Sequence, residues 1–168
     1  MNFYEVLKSR RSVRVYDPTP IPESVLERLY EAVKYAPSAC NLQPWKILVV
    51  TNPEAKAKLC AACSQKALQE APAIVVALGN SDKCWHRPEG DAIIPLDIGI
   101  VMEHVVLAAA AEGLASCWIC AYDMKRVDAA IGAAAPWHVY ALSPLGYPGE
   151  APAMPPRKRR EDVFGVIS

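Results

Sequence analysis

Residues 96–120, LDIGIVMEHVVLAAAAEGLASCWIC, decide the fold class. Apolar residues fill a helix-length segment from about Leu96 to Glu112, Gly113 supplies a C-terminal stop, and Leu114–Cys120 follow as a short buried strand. A helix that hands over directly to a buried strand belongs to a layered αβ protein. The same stretch is interrupted by Asp97, Glu103, His104 and Glu112, so it reads as a core helix and not as a membrane span.

Working outward, helices and strands alternate without an internal repeat or a long linker. Asn2 and Glu5 have capping-box spacing for a short first helix that ends in a basic run. Pro22 opens a second helix, with Val25, Leu26, Leu29, Tyr30 and Val33 at helical spacing, and Pro37 closes it. Lys46–Val50 reads as a strand, and Asn52-Pro53 as the cap and first position of a third helix reaching Ala71. Ala73–Leu78 is a second buried strand, and a loop from Gly79 to Pro95 leads into the long helix. Asp123 caps a short helix ending near Gly132, His138–Leu145 is a fourth strand, and Pro148–Pro156 is extended. The expectation is one αβ domain over residues 1–168; a parallel and a mixed sheet both fit the pattern.

Composition agrees: 52% of the 168 residues are hydrophobic and 21% charged, enough to bury one core, while 8 Gly and 6 Cys are too few for a collagen-like or disulfide scaffold. Eighteen basic residues balance eighteen acidic ones, which argues against a nucleic-acid or membrane-surface partner. The charge is segregated. Lys8, Arg10, Arg11 and Arg14 face Glu5 alone at one end, and Arg157, Lys158, Arg159 and Arg160 face Glu161 and Asp162 at the other, leaving ten basic against fifteen acidic residues between. Met1–Glu5 lacks the apolar core of a signal peptide, so a cytoplasmic protein with reduced thiols is expected.

Two segments carry candidate chemistry. Ser9-Arg10-Arg11-Ser12-Val13-Arg14 offers planar guanidinium forks and hydroxyls suited to a phosphate or an electron-rich carbonyl; a solvated basic face is the plain alternative. Pro37-Ser38-Ala39-Cys40-Asn41-Leu42-Gln43-Pro44-Trp45 can present donors and acceptors to a planar heterocycle; a capping loop anchored by a core Trp is the alternative there.

Taken together and in this order, the two segments resemble those of the nitroreductase family. Further along, Glu70-Ala71-Pro72 resembles that family's Ala-Pro pair, Gly113-Leu114-Ala115-Ser116-Cys117-Trp118-Ile119 its Gly-Leu-Gly-Ser/Thr-Cys-Trp strand, and Leu145-Gly146-Tyr147-Pro148 its Leu-Gly-Tyr-Pro turn. The resemblance implies an α+β fold: a three-layer αβα sandwich with a mixed, mainly antiparallel central sheet, in a homodimer with exchanged tails. It implies FMN as cofactor, NAD(P)H as reductant, and a small nitroaromatic, quinone or similar conjugated oxidant. Arg10, Arg11, Ser12 and Arg14 match FMN contacts. Pro37, Ser38, Ala39, Cys40 and Asn41 match a segment that reaches the flavin of the other subunit. Ile119, Cys120 and Ala121 match the strand end beside the flavin ring, and Arg157, Lys158 and Arg159 the basic tail that grips the phosphate. The chain has Pro155-Pro156-Arg157-Lys158-Arg159-Arg160 where the family tail often reads Lys-Pro-Arg-Lys-Pro, and Cys40 where Gly, Ser or Thr is usual. Flavin chemistry needs no side-chain nucleophile or acid–base pair, so no catalytic side chain is expected.

A rival reading uses the cysteines. Cys60-Ala-Ala-Cys63 and Cys117-Trp-Ile-Cys120 have a spacing that can hold zinc, which with the basic tail would make a non-catalytic zinc- or anion-binding module. Against it, the first pair lies in an Ala-rich helical run, the second in a strand whose Cys117 and Cys120 face opposite sides, and the pairs stand 54 positions apart. Buried thiols and no metal are the expectation. His86, His104 and His138 share no ligand spacing.

Overall fold

The computed structural model describes residues 1–167. In chain order these form α1 (Phe3–Ser9), α2 (Glu23–Lys34), a tight helical turn (Ala39–Asn41), β1 (Trp45–Val50), α3 (Pro53–Ala62), α4 (Lys66–Glu70) and β2 (Ala73–Asn80). Then follow α5 (Ile94–Ala111), β3 (Ala115–Ser116), α6 (Met124–Ile131), β4 (Trp137–Gly146) and α7 (Arg160–Val163).

The sheet order is β1-β2-β4-β3, and every neighbouring pair is antiparallel. A single parallel bridge, Ser12 to Ser116, is the whole parallel component of the expected mixed sheet among the described residues. β2 is buried along its full length, as a central strand should be, and its side chains alternate between two cores. Val75 and Ala77 face α2 and α5 through Val25, Leu29, Ile98, Met102 and Val105. Ile74, Val76 and Leu78 face Leu59 of α3, Leu68 of α4 and Val127 of α6. Helices therefore cover both faces of the sheet, in the three-layer α+β arrangement expected from the sequence.

Local chemistry sets most boundaries. Asn2 and Glu5 complete the capping box reciprocally, at 3.0 and 2.7 Å. Asn52 caps α3 and Asp123 caps α6 through side-chain oxygens that accept the Ala55 and Arg126 amides. Gly113 and Gly132 end α5 and α6 at φ of 75° and 71°, a conformation that Cβ disfavours.

Three expectations are corrected. The third helix does not run to Ala71: it stops at Ala62, Cys63 is extended, and α4 starts afresh at Lys66. Leu59 and Leu68 are both fully buried in one core, and at about 100° per residue a continuous helix would point them in opposite directions. The break lets both face the sheet. The third strand is also shorter than Leu114–Cys120, because Pro144 of β4 has no N–H to give and the ladder fails beside it. The Cys117 amide turns instead to the Ser143 hydroxyl at 3.0 Å, and pairing resumes only at the Ile119–Leu142 bridge. Finally, the tail is not extended throughout, since Arg160–Val163 form one helical turn.

Candidate functional site

The basic run begins where α1 ends. Arg11 folds its guanidinium back onto that end, donating to the Lys8 and Arg10 carbonyls at 2.6 and 2.7 Å, so it caps the helix C-terminus. Val13 and Tyr16 are buried, which turns Ser12 and Arg14 of the same extended segment outward.

Ser116 and residues 147–150 hold that segment. The Val13 amide donates to Ser116, the Gly149 amide to Val15, and the Asp17 amide to Tyr147, all at 2.9–3.1 Å. The Arg14 amide donates to Glu150 Oε1 at 2.7 Å. Gly146 leaves room for Pro72 and Tyr16 to pack on it: a Cβ there would stand 2.5 Å from Pro72 Cδ and 3.3 Å from Tyr16 Cδ1. The Tyr16 hydroxyl donates to the Val13 carbonyl at 2.6 Å, and burial pushes its phenol well above the usual range.

Two of the clefts that border this segment share Arg14. One, of about 320 Å³, is lined by Arg10, Arg11, Ser12, Arg14 and Arg157, with Pro152, Ala153 and Pro155 as its apolar wall. The two ends of the chain thus meet in one concave basic site. None of the ion pairs among the described residues involves Arg10, Arg14 or Arg157. Three unneutralised guanidinium groups and a hydroxyl around one hollow suit a phosphate. The second cleft, of about 350 Å³, shares Arg14 and is walled by Trp118, Ile119, Cys120 and Ala121 on one side and α4 on the other. Partial desolvation raises the Cys120 thiol above its ordinary range. With Arg14 at the junction, an anionic head in the first cleft and a flat body in the second can belong to one ligand.

The remaining sequence-derived residues lie elsewhere. Pro37, Ser38, Ala39, Cys40 and Asn41 line neither cleft of their own chain. Lys158 and Arg159 also line neither, and Arg159 pairs with Glu161 and Asp162 at 3.2 and 3.4 Å. None of the six cysteines is in a disulfide, and among the described residues no group of three His, Cys, Asp or Glu side chains gathers as a metal site.

Sequence reasoning missed Gln65, Lys66 and Glu70, which border the second cleft from α4 and the residue before it, with Lys66 and Glu70 paired at 3.2 Å. They come into reach because the chain breaks at Cys63. The signal was the burial demand of Leu59 and Leu68, which no continuous helix meets.

The nitroreductase family model matches residues 7–78 and 60–147. An NADH dehydrogenase of Thermus thermophilus is 34% identical over 172 residues, spanning 84% of this chain and 84% of the relative. A nitroreductase family protein of Clostridium novyi, known from its crystal structure, is 32% identical with a TM-score of 0.80, over 89% of this chain and 87% of that one. A protein of Exiguobacterium sibiricum, crystallised in complex with FMN, has a TM-score of 0.88 over 99% of this chain and 98% of its own, at 22% identity. That last likeness is one of fold.

Proposed function

Because this chain belongs to the nitroreductase family and is an oxidoreductase, we propose that it binds FMN and passes reducing equivalents from NAD(P)H to a small conjugated acceptor such as a nitroaromatic or a quinone. The observation that carries the reading is the convergence of Arg10, Ser12, Arg14 and Arg157 on one basic cleft that opens, at Arg14, into a second.

FMN, when bound, supplies the electron and hydride chemistry. The chain's own residues bind and orient. Arg10, Arg157 and Ser12 take the phosphate, where charge-assisted bonds from planar forks are strong. The guanidinium of Arg14, its backbone held by Glu150, favours negative charge at the junction of the two clefts. Trp118–Ala121 form the wall beside the ring. NAD(P)H and the acceptor use the second cleft in turn.

We further propose that residues 1–168 act as one FMN-binding domain in a homodimer. Pro37–Asn41 line neither of these clefts in their own chain, and Cys40 and Asn41 are exposed, which supports their serving the flavin of a second copy. Initial-rate kinetics with NADH or NADPH and a quinone test the cycle. Alternating use of one cleft gives parallel double-reciprocal lines; intersecting lines would overturn it. A colourless protein carrying stoichiometric zinc would favour the cysteine module instead.

A further inference from the structure

Asp97 sits in the first turn of α5 and is 1% exposed. Its Oδ1 accepts the Ala39 amide at 3.1 Å, across 58 residues of sequence. Oδ2 has no hydrogen-bond partner among the described residues. A buried carboxylate with an unused oxygen is among the costlier groups a fold can hold. An apolar side chain would seat α5 as Ile94 and Ile98 do. The bond made by Oδ1 is what the carboxylate adds.

That bond enters the chain at a turn which L-residues resist. Cys40, Asn41 and Gln43 have φ of 49°, 55° and 47°, three left-handed residues within four positions and none of them glycine. Inside the turn, Asn41 and Leu42 amides donate to the Ser38 and Ala39 carbonyls, and the Gln43 amide to Ser38 Oγ at 2.8 Å. Those bonds stay within residues 38–43. Among the described residues, the Asp97 bond is the one hydrogen bond that fixes residues 39–43 to another element.

We propose that Asp97 is a positioning residue whose carboxylate imposes the left-handed turn at residues 39–43 and so presents Ser38–Asn41. The inference rests on the functional reading above only in what the turn is presented to, the flavin of a second copy.

The test compares amide exchange at Asn41 and Leu42 with the rate of FMN release, in the purified holoprotein and its variants. In Asp97→Ala both amides exchange about tenfold faster and FMN leaves about tenfold faster. Asp97→Asn keeps an acceptor oxygen and returns both rates toward those of the unaltered protein. Where Asp97→Ala fails to fold, Ala39→Pro removes the donor and leaves α5 intact. Ser38 is already extended, at φ −142° and ψ 164°, as a residue before proline must be. Unchanged exchange in Asp97→Ala and Ala39→Pro would overturn the role of Asp97, as would equal acceleration in the Asn and Ala variants. Faster exchange with unaltered FMN release supports that role and overturns the assignment of the turn to the flavin. A protein that holds no FMN sinks the functional reading, and exchange alone then decides Asp97.

Discussion

Arg10, Arg157 and Arg159 carry the same side chain in different surroundings. The first two face a shared hollow without an anionic partner, whereas Arg159 is occupied by Glu161 and Asp162. A charge-assisted hydrogen bond contributes about 1.5–3 kcal/mol, so Arg10→Ala and Arg157→Ala should each weaken FMN binding by about 10- to 100-fold. Arg159→Ala should change it less than about threefold, because an exposed pair contributes little. Fluorescence titration with FMN measures all three, and equal losses at Arg157 and Arg159 would show that the tail rearranges on binding. That Arg10, Ser12 and Arg14 share one surface was legible in the sequence, because they stand in a short segment beside a helix end. Which of Arg157, Lys158, Arg159 and Arg160 lines the cleft was not, since nothing local distinguishes four consecutive basic residues; it depends on the path of Pro152–Pro155 across the cleft. Asp97 was legible only as an interruption of an apolar helix, because its partner is 58 residues distant.

Elements show the same division. Helix ends with local caps were readable to within a residue or two, since Asn2, Asn52, Asp123, Gly113 and Gly132 each act on the turn beside them, whereas the uncapped end of α3 was not. β3 was not, because what ends it is Pro144 on a different strand, and the repair is the hydroxyl of Ser143. That hydroxyl is buried, accepts the Cys117 amide and donates to the Pro144 carbonyl at 2.8 Å. Ser143→Ala leaves the Cys117 N–H unpaired and should cost about 1–3 kcal/mol, a fall in Tm of several degrees by calorimetry. It should also loosen the strand end Ile119–Ala121 and so weaken FMN binding. An unchanged Tm would mean that another acceptor serves Cys117. α4 depends in the same way on long-range packing, since Leu68 can join Leu59 in one core only if the helix breaks.

At the scale of the molecule, the zero net charge resolves into basic ends that meet and an acidic body between them. Because the cleft is open to solvent, FMN affinity should fall several-fold as ionic strength rises from about 0.05 to about 0.5 M; a salt-independent affinity would mean that the phosphate is held mainly by neutral donors. Stability should respond to alkali through Tyr16 and Tyr122, whose phenols burial pushes far above the usual range. Unfolded, each ionises near about pH 10, while the folded chain keeps both protons. Their contribution is therefore complete below about pH 10 and is lost as pH rises beyond it. Thermal melts between about pH 8 and pH 11 should show Tm falling at the alkaline end, and Tyr122→Phe, which also loses the bond to the Val139 carbonyl, should flatten that fall. A Tm independent of alkali would contradict the burial of both phenols. All of this serves one activity, and one titration reaches it most directly: purified protein is saturated with FMN, freed of excess, and mixed without oxygen with NADH or NADPH. Stoichiometric bound flavin whose absorbance bleaches on adding the nicotinamide, and returns on adding a quinone, is the predicted result; a protein that retains no FMN, or whose bound flavin stays oxidised with both nicotinamides, would contradict it.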